Sequence, residues 1–146
     1  MKVLTVVGNR PQFVKSAPLS VGFLLVGIDE VVVHTGQHYD NALSEVFIRE
    51  LGLPEPRHRL GLRTADTEVM TPAIEAVIRA EAPDIVLVYG DTNSTLAGAR
   101  AAAQASIPVA HVEAGLRSGD MSMPEEHARI EVDRIASLLL CPDERS

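Results

Sequence analysis

The chain has 146 residues, a length typical of one globular domain with its own core. Val, Leu, Ile and Ala supply most of the 46% hydrophobic residues, and aromatic residues make up only 3%. The formal net charge of −7 argues against a nucleic-acid-binding or anionic-membrane-binding surface, because either would require a basic face.

A single cysteine, Cys141, excludes an internal disulfide and a Cys-rich metal site. It follows three leucines, so we expect a buried and unreactive thiol. No signal-peptide pattern precedes the first apolar run, and the longest apolar patch, residues 21–28, is too short to cross a bilayer. We therefore expect a soluble cytoplasmic protein with no nucleic-acid or membrane partner.

Five short apolar runs are predicted to be buried strands: residues 3–7, 31–34, 85–89, 109–112 and 138–141. They are rich in Val and Leu and do not alternate with polar residues. Continuous apolar runs of this kind are typical of a parallel sheet that is covered on both faces.

Helical patterns lie between these runs, at residues 11–26, 43–51, 67–82, 92–105 and 125–135. Pro11 suits a first helical turn, whereas Pro18 is expected to kink or divide the first helix. Residues 52–66 form the longest irregular connection. The alternation predicts an α/β fold, a three-layer Rossmann-like doubly wound parallel sheet, in a single domain of residues 1–146.

The first polar motif, Gly8-Asn-Arg-Pro, follows the first strand and opens the first helix. Gly8 would let a phosphate approach the helix N-terminus, and Arg10 and Lys15 would add positive charge. The motif is neither a P-loop nor a dinucleotide-binding fingerprint, so a tight turn with two solvated cations explains it equally well.

A second polar motif, Thr-Gly-Gln-His38, follows the second strand in the same way. Gln37 and His38 could hydrogen-bond the amide or hydroxyl groups of a ligand, although a surface histidine alone needs no such role. Further along, His111 and Glu113 share one strand face. Without a third ligand they do not predict a metal site.

Carboxylates follow the later strands and begin the last helix. Taken singly, Asp91 or Thr92 is a good N-cap, and Glu125 with Arg129, four residues apart, could be a surface ion pair. Because parallel strands end at one edge of a sheet, however, Asp91, Glu113 and Glu125 are expected to lie close together.

This arrangement would place three carboxylates opposite Arg10 and Lys15. Carboxylates facing cations suit acid/base chemistry on a phosphorylated substrate. The sequence therefore predicts a site at the carboxyl edge of the sheet.

Taken together, the motifs resemble the non-hydrolysing UDP-N-acetylglucosamine 2-epimerases. The resemblance covers essentially the whole chain, in the order and with the spacing of the family. It rests on residues 8–15 with 18–19, 35–38, 90–92, 111–117 and 124–126 with Arg129. The pair His-Val-Glu-Ala-Gly-Leu-Arg and Pro-Glu-Glu is the most specific part, whereas Ala128 stands where the family commonly has Asn.

The resemblance implies reversible conversion of UDP-N-acetylglucosamine to UDP-N-acetylmannosamine, by elimination and re-addition of UDP without a metal or other cofactor. It implies that the acid/base carboxylates are Asp91, Glu113 and Glu125, and that Arg129 is an active-site cation. It also implies that a substrate or a second, regulatory UDP-sugar contacts four further residues: Arg10, Lys15, Gln37 and His38.

The family has two Rossmann-like domains of the glycosyltransferase-B kind, with the active site between them. The resemblance therefore implies an N-terminal half that lacks the C-terminal UDP-binding domain and is weak or inactive alone. An exposed cleft wall would favour a homo-oligomer. The alternatives are a hydrolysing epimerase, a glycosyltransferase donor half and a non-catalytic nucleotide-sugar-binding module.

Overall fold

The structure is a computed structural model that describes residues 1–37, 46 and 48–146. Its strands are β1 (Lys2–Val7), β2 (Asp29–His34), β3 (His58–Arg59), β4 (Ile85–Tyr89), β5 (Val109–Val112) and β6 (Leu138–Leu140). Its helices are α1 (Arg10–Val26), α2 (Thr67–Glu81), α3 (Asn93–Gln104) and α4 (Pro124–Ile135). No helix in these ranges is long and apolar enough to span a membrane.

The six strands form one parallel sheet in the order β3-β2-β1-β4-β5-β6. The chain builds outward from β1 through β2 to β3, then returns to the middle and builds outward the other way. The order reverses between β1 and β4, the place where sheets of this type bind ligands. The predicted doubly wound fold is confirmed.

Helices cover both faces of the sheet and give the molecule three layers. Leu4 and Val6 of β1 join the core on the face of α2, α3 and α4. Val3 and Val7, which point the other way, pack with Phe13 on the face of α1. Successive residues of one strand are thus buried on opposite faces, which explains the continuous apolar runs.

Two features of the first half of the chain differ from what the sequence suggests. Residues 52–66 are not wholly irregular, because β3 pairs with β2 there through Val33 and His58. Such a short and half-exposed edge strand carries no apolar run. Pro18 does not divide α1, which runs unbroken past it. Pro18 lies on the exposed side of α1, where water can satisfy the carbonyl that loses its partner.

The helix ends follow local capping chemistry. Thr92 is the N-cap of α3, and its side chain accepts from the Thr95 backbone N–H in a capping box. Asp66 caps α2 in a similar way, by accepting from the backbone N–H of Glu68. Of the predicted helix at residues 43–51, residues 46 and 48–50 are helical and residue 51 is a turn, whereas residues 43–45 and 47 lie outside the described residues.

The end of the chain differs from expectation. Cys141 is exposed, not buried. It follows β6, the edge strand of the sheet, whose Leu138 and Leu140 are themselves exposed. An apolar run at a sheet edge is therefore a poor predictor of burial.

Candidate active site

The loops after β1, β2 and β4 meet tightly at the carboxyl edge of the sheet. A Cβ on Gly8 would clash with the Ser94 hydroxyl and lie 2.6 Å from Oγ1 of Thr35. Those two hydroxyls are themselves hydrogen-bonded, 2.8 Å apart. Gly8 is required here because the start of α3 and the β2 loop occupy the space of a side chain.

Gln12, which the sequence did not single out, joins the loop after β1 to the end of β4 and the start of α3. Its side-chain oxygen accepts from the Gly8 backbone N–H at 2.7 Å. Its amide nitrogen lies 2.8 Å from the Tyr89 carbonyl and 2.9 Å from the hydroxyls of Thr92 and Thr95. Gln12 is buried, so this network fixes the β1 turn against the end of β4.

Gln37 lies at the same edge, bound to the start of α3. Its side-chain oxygen accepts from the backbone N–H of Ser94 at 3.0 Å and from the Ser94 hydroxyl at 2.6 Å. The side-chain amide nitrogen of Gln37 has no hydrogen bond to the described part of the chain. Its neighbour His38, predicted as a ligand contact, lies outside the described residues.

Asp91 and Arg129 form an ion pair between the β4 loop and α4. The other terminal nitrogen of Arg129 donates to the Glu126 carboxylate at 3.0 Å. Burial would lower the pKa of Arg129, but the bond to Glu126 and the charge of Asp91 outweigh burial and raise that pKa. The guanidinium therefore remains a fixed positive charge beside Asp91.

Glu126 is a buried carboxylate and only 1% exposed, unlike its neighbour Glu125. The backbone N–H groups of Ser118 and Gly119, together with Arg129, lower the pKa of Glu126 to about 2. Glu126 is thus ionised at neutral pH, and both of its carboxylate oxygens accept hydrogen bonds from protein donors.

Glu113 forms the second ion pair at this edge, with Lys15 of α1 at 2.6 Å. The backbone of Glu113 has φ +66°, a left-handed conformation that side chains rarely adopt. A Cβ on Gly90 would lie 3.3 Å from the Glu113 carboxylate and 3.9 Å from the Lys15 ammonium. The second ion pair therefore lies directly beside the residue that precedes Asp91.

An open cleft of about 380 Å³ lies at this edge. Its lining residues are Asn9, Gln37, Asp91, Thr92, Asn93, Pro124 and Glu125. Glu125 is exposed there and makes no hydrogen bond or ion pair with a described residue. The cleft thus contains Asp91, whose carboxylate is in an ion pair, and Glu125, whose carboxylate has no partner among the described residues.

His111 is fully buried in β5 and contacts protein groups on both sides. Its Nδ1 lies 2.7 Å from the Asp133 carboxylate, and its Nε2 lies 2.7 Å from the Gly90 carbonyl. Both ring nitrogens are therefore engaged. Within the described ranges, no three His, Cys, Asp or Glu side chains are grouped as metal ligands would be.

Most of the predicted site residues in the described ranges lie together. Asp91, Gln37 and Glu125 share the cleft, and the Lys15–Glu113 pair adjoins it through Gly90. Arg129 reaches the cleft through Asp91, and Arg10 begins α1 with an exposed side chain.

Sequence reasoning missed the structural roles of Gln12, Glu126 and Asp133. The spacing of Glu126 and Arg129, three residues apart on a helix, is the one signal that could have indicated a pairing. Burial, which sets these roles, was not visible in the pattern.

A family model described as UDP-N-acetylglucosamine 2-epimerase matches residues 26–146. The chain belongs to the UDP-N-acetylglucosamine 2-epimerase family. Among its relatives, UDP-2,3-diacetamido-2,3-dideoxy-D-glucuronate 2-epimerase of Pseudomonas aeruginosa is 49% identical, over 97% of this chain and 42% of that protein. UDP-N-acetylglucosamine 2-epimerase of Methanocaldococcus jannaschii is 43% identical, over 99% of this chain and 40% of that protein.

Solved structures of the family agree with this assignment. The M. jannaschii UDP-GlcNAc 2-epimerase, in complex with UDP-GlcNAc and UDP, superposes with a TM-score of 0.95 at 42% identity. The match covers 99% of this chain and 41% of that one. A Streptomyces glycosyltransferase at 18% identity and a TM-score of 0.58 shares the fold alone. The chain thus corresponds to the N-terminal part of the epimerases and spans about 40% of the length of the M. jannaschii relative.

Proposed function

We propose that this chain supplies the acid/base edge of a UDP-N-acetylglucosamine 2-epimerase that interconverts UDP-N-acetylglucosamine and UDP-N-acetylmannosamine. The observation that carries the proposal is the meeting of Asp91 and Glu125 in one cleft, with Glu113 beside it. The cleft volume of about 380 Å³ is within the range of roughly 300–1,000 Å³ usual for small-molecule sites.

The reaction needs carboxylates because the proton on C2 of the sugar is barely acidic. A carboxylate takes that proton, the C–H electron pair becomes the C1=C2 double bond, and the C1–O bond breaks as UDP leaves with its electrons. Re-addition reverses these steps and returns a proton to the opposite face of C2. Because one rigid base cannot reach both faces, more than one carboxylate is useful.

The three carboxylates differ in whether a protein cation already binds them. Glu125 has no protein partner in the described residues, so it is free to accept a proton in the cleft. Asp91 is held by Arg129, and Glu113 by Lys15. We infer that Arg129, Lys15 and Arg10 offset the negative charge that develops as the diphosphate leaves.

We propose three partners for the chain. The first is the UDP-sugar, which Gln37 and His38 would also contact, either in the active site or as a second regulatory ligand. The second is a C-terminal domain that completes the cleft, since the relatives are more than twice as long as this chain. The third is a second copy of the chain, because Leu24, Leu25 and the leucines of β6 expose apolar surface.

A second candidate substrate follows from the P. aeruginosa relative, which is 49% identical to this chain. We propose UDP-2,3-diacetamido-2,3-dideoxy-D-glucuronate as that candidate. Inversion at C2 is the same chemistry in both sugars, so the same carboxylates serve either substrate. Comparing kcat/KM for the two UDP-sugars decides between them.

The test is incubation with UDP-N-acetylglucosamine in heavy water. The chain is assayed alone and fused to the part of the M. jannaschii relative that it does not match. We expect deuterium at C2 together with the manno epimer from the fusion, and little or none from the chain alone. Replacing Asp91, Glu113 or Glu125 by its amide should slow exchange by roughly 10²–10⁴-fold.

Three outcomes would contradict the proposal. Unchanged exchange in all three amide variants would exclude this edge as the site. Release of free UDP and N-acetylmannosamine with turnover would indicate a hydrolysing enzyme. Tight UDP-sugar binding by the fusion with no C2 exchange would indicate a binding module.

A further inference from the structure

A buried carboxylate, Glu126, and a partly buried one, Asp133, lie on the inner side of α4, behind the proposed acid/base edge. Glu126 and Asp133 are seven residues apart, so they lie on one face of the helix. Glu126 is 1% exposed, and the side chain of Asp133 is 8% exposed. Neither lines the cleft that holds Asp91 and Glu125.

Both carboxylates bind the loop that follows β5 and begins with Glu113. Glu126 accepts from the backbone N–H groups of Ser118 and Gly119, each at 3.0 Å. Asp133 accepts from the backbone N–H of Gly115 at 3.0 Å and forms an ion pair with the Arg117 guanidinium at 2.7 Å. Three backbone amides and one side chain of a single loop are thus fastened to one helix.

Each carboxylate also holds a basic side chain that reaches the β4 loop. Glu126 binds Arg129, whose other terminal nitrogen contacts Asp91. Asp133 binds His111, whose second ring nitrogen contacts the Gly90 carbonyl. Two consecutive residues of the β4 loop are therefore connected to α4 by parallel chains of hydrogen bonds.

The charge of both groups suits this holding role. Backbone N–H groups of Ser118 and Gly119 keep the pKa of Glu126 at about 2. Burial would raise the pKa of Asp133, but hydrogen bonds from Arg117, His111 and Gly115 outweigh burial and lower it. Both groups stay ionised at neutral pH, and ionised acceptors form the stronger hydrogen bonds.

We propose that Glu126 and Asp133 are positioning residues that fix the loops carrying Asp91 and Glu113 and exchange no proton with the substrate. The proposal rests on the proposed function of this edge. The proposal gives the two glutamates of the Pro-Glu-Glu motif different tasks. Glu125 faces the cleft. Glu126 lies about 100° further round the helix and anchors the loop after β5.

The first experiment measures amide hydrogen exchange in the chain itself. Glu126→Gln should speed exchange of the Ser118 and Gly119 amides by roughly tenfold or more and leave Gly115 unchanged. Asp133→Asn should speed exchange of the Gly115 amide and leave exchange of the Ser118 and Gly119 amides unchanged. Glu131→Gln is the matched control, because Glu131 lies on the same helix but pairs with Arg100 of α3.

The second experiment measures C2 deuterium exchange in the fusion described above. Glu126→Gln and Asp133→Asn should lower kcat at least tenfold while the pH profile of kcat keeps its shape, because no titrating acid or base is lost. Glu126→Asp keeps the charge and should recover part of both the amide protection and kcat. It also replaces Glu126→Gln if that variant does not fold.

The outcomes separate the two proposals. Unchanged protection of Ser118 and Gly119 in Glu126→Gln would overturn the positioning role, whatever the activity. Freed amides with an unchanged kcat would show that the loops need no such anchor, and would overturn it as well. Absence of C2 exchange in the wild-type fusion would count against the proposed function only, and the amide measurements would then decide the positioning role.

Discussion

At the scale of single residues, the three carboxylates of the edge have different supports. Asp91 is held by a cation that a buried carboxylate orients, Glu113 is held by Lys15 on the far helix, and Glu125 is unpaired within the described residues. Three chemically similar side chains thus differ in how firmly their carboxylates are held. Such a difference suits a reaction in which a proton leaves one face of a sugar ring and returns to the other.

Glu113 also carries backbone strain, with φ +66°. Glu113→Gly should relieve that strain and change the free energy of unfolding by between zero and about +1 kcal/mol, while C2 exchange falls by roughly 10²–10⁴-fold. Urea unfolding and the heavy-water assay measure the two effects. Ser106→Gly is the matched control, because Ser106 has φ +59° and precedes the amino end of β5. Ser106→Gly should change the free energy of unfolding by a similar amount and leave C2 exchange unchanged. A large loss of stability in Glu113→Gly alone would show that Glu113 is not strained.

The sequence could predict that the carboxylates of the proposed acid/base edge lie close together, but it could not assign tasks among them. Asp91, Glu113 and Glu125 were predictable because parallel strands end together. Glu125 and Glu126 are identical residues at adjacent positions. Only their burial distinguishes the residue that faces the cleft from the residue that anchors the loop after β5. That burial depends on how α4 packs against the loop after β5, a tertiary contact that no local pattern encodes.

At the scale of elements, the turn from β1 into α1 is the most tightly constrained junction at the edge. A Cβ on Gly8 would lie 2.7 Å from the Ser94 Cβ. Gly8→Ala should therefore lower the free energy of unfolding by roughly 1–3 kcal/mol, as overpacking does. It should also weaken UDP-sugar binding, because α3 must shift. Urea unfolding of the chain and calorimetric titration of the fusion with UDP-N-acetylglucosamine measure the two effects.

Gly22→Ala is the matched control for that substitution. Gly22 lies inside α1, and a Cβ there would meet nothing within 4 Å. Alanine should stabilise the helix by roughly 0.5–1 kcal/mol because glycine is a poor helix former. Equal effects of the two substitutions would mean that the close contact at Gly8 is not what the turn requires.

The predicted elements show why some parts of the fold could be read from the sequence. Four strand predictions came within two residues of the observed bounds because those strands are buried on both faces. β3 was missed because an edge strand of two residues leaves no apolar run. The residues of β6 were assigned correctly, but their burial was not, since the sheet ends there.

At the scale of the whole molecule, charge is gathered at both ends of the sheet. The carboxyl edge holds the proposed acid/base residues. At the amino edge, Glu81 at the end of α2 accepts from Lys2 of β1 at 2.7 Å and His58 of β3 at 2.6 Å. Arg57 lies 3.4 Å from the same carboxylate. This cluster joins the first strand, the edge strand and a helix far from the cleft, so it serves stability.

The Glu81 cluster predicts a specific acid sensitivity. Hydrogen bonds from Lys2 and His58 lower the pKa of Glu81 to about 2, below its ordinary value of 4.5. Because the folded pKa is the lower one, the stabilisation is complete above about pH 4.5 and is lost as the pH falls towards about 2. Glu81→Gln should therefore be less stable than the wild type at pH 7, and the difference should shrink at pH 4 and again at pH 3.

Urea unfolding at those three pH values measures the effect. Between pH 4.5 and 2, the wild type should take up about one proton more than Glu81→Gln on unfolding. Glu126 and Asp133, whose pKa values are also lowered, are unchanged in the variant, so part of the acid sensitivity should remain. C2 exchange by the folded fusion at pH 7 should not change, because Glu81 lies at the opposite edge of the sheet. A stability difference that is constant with pH would show that Glu81 acts through packing and not through its charge.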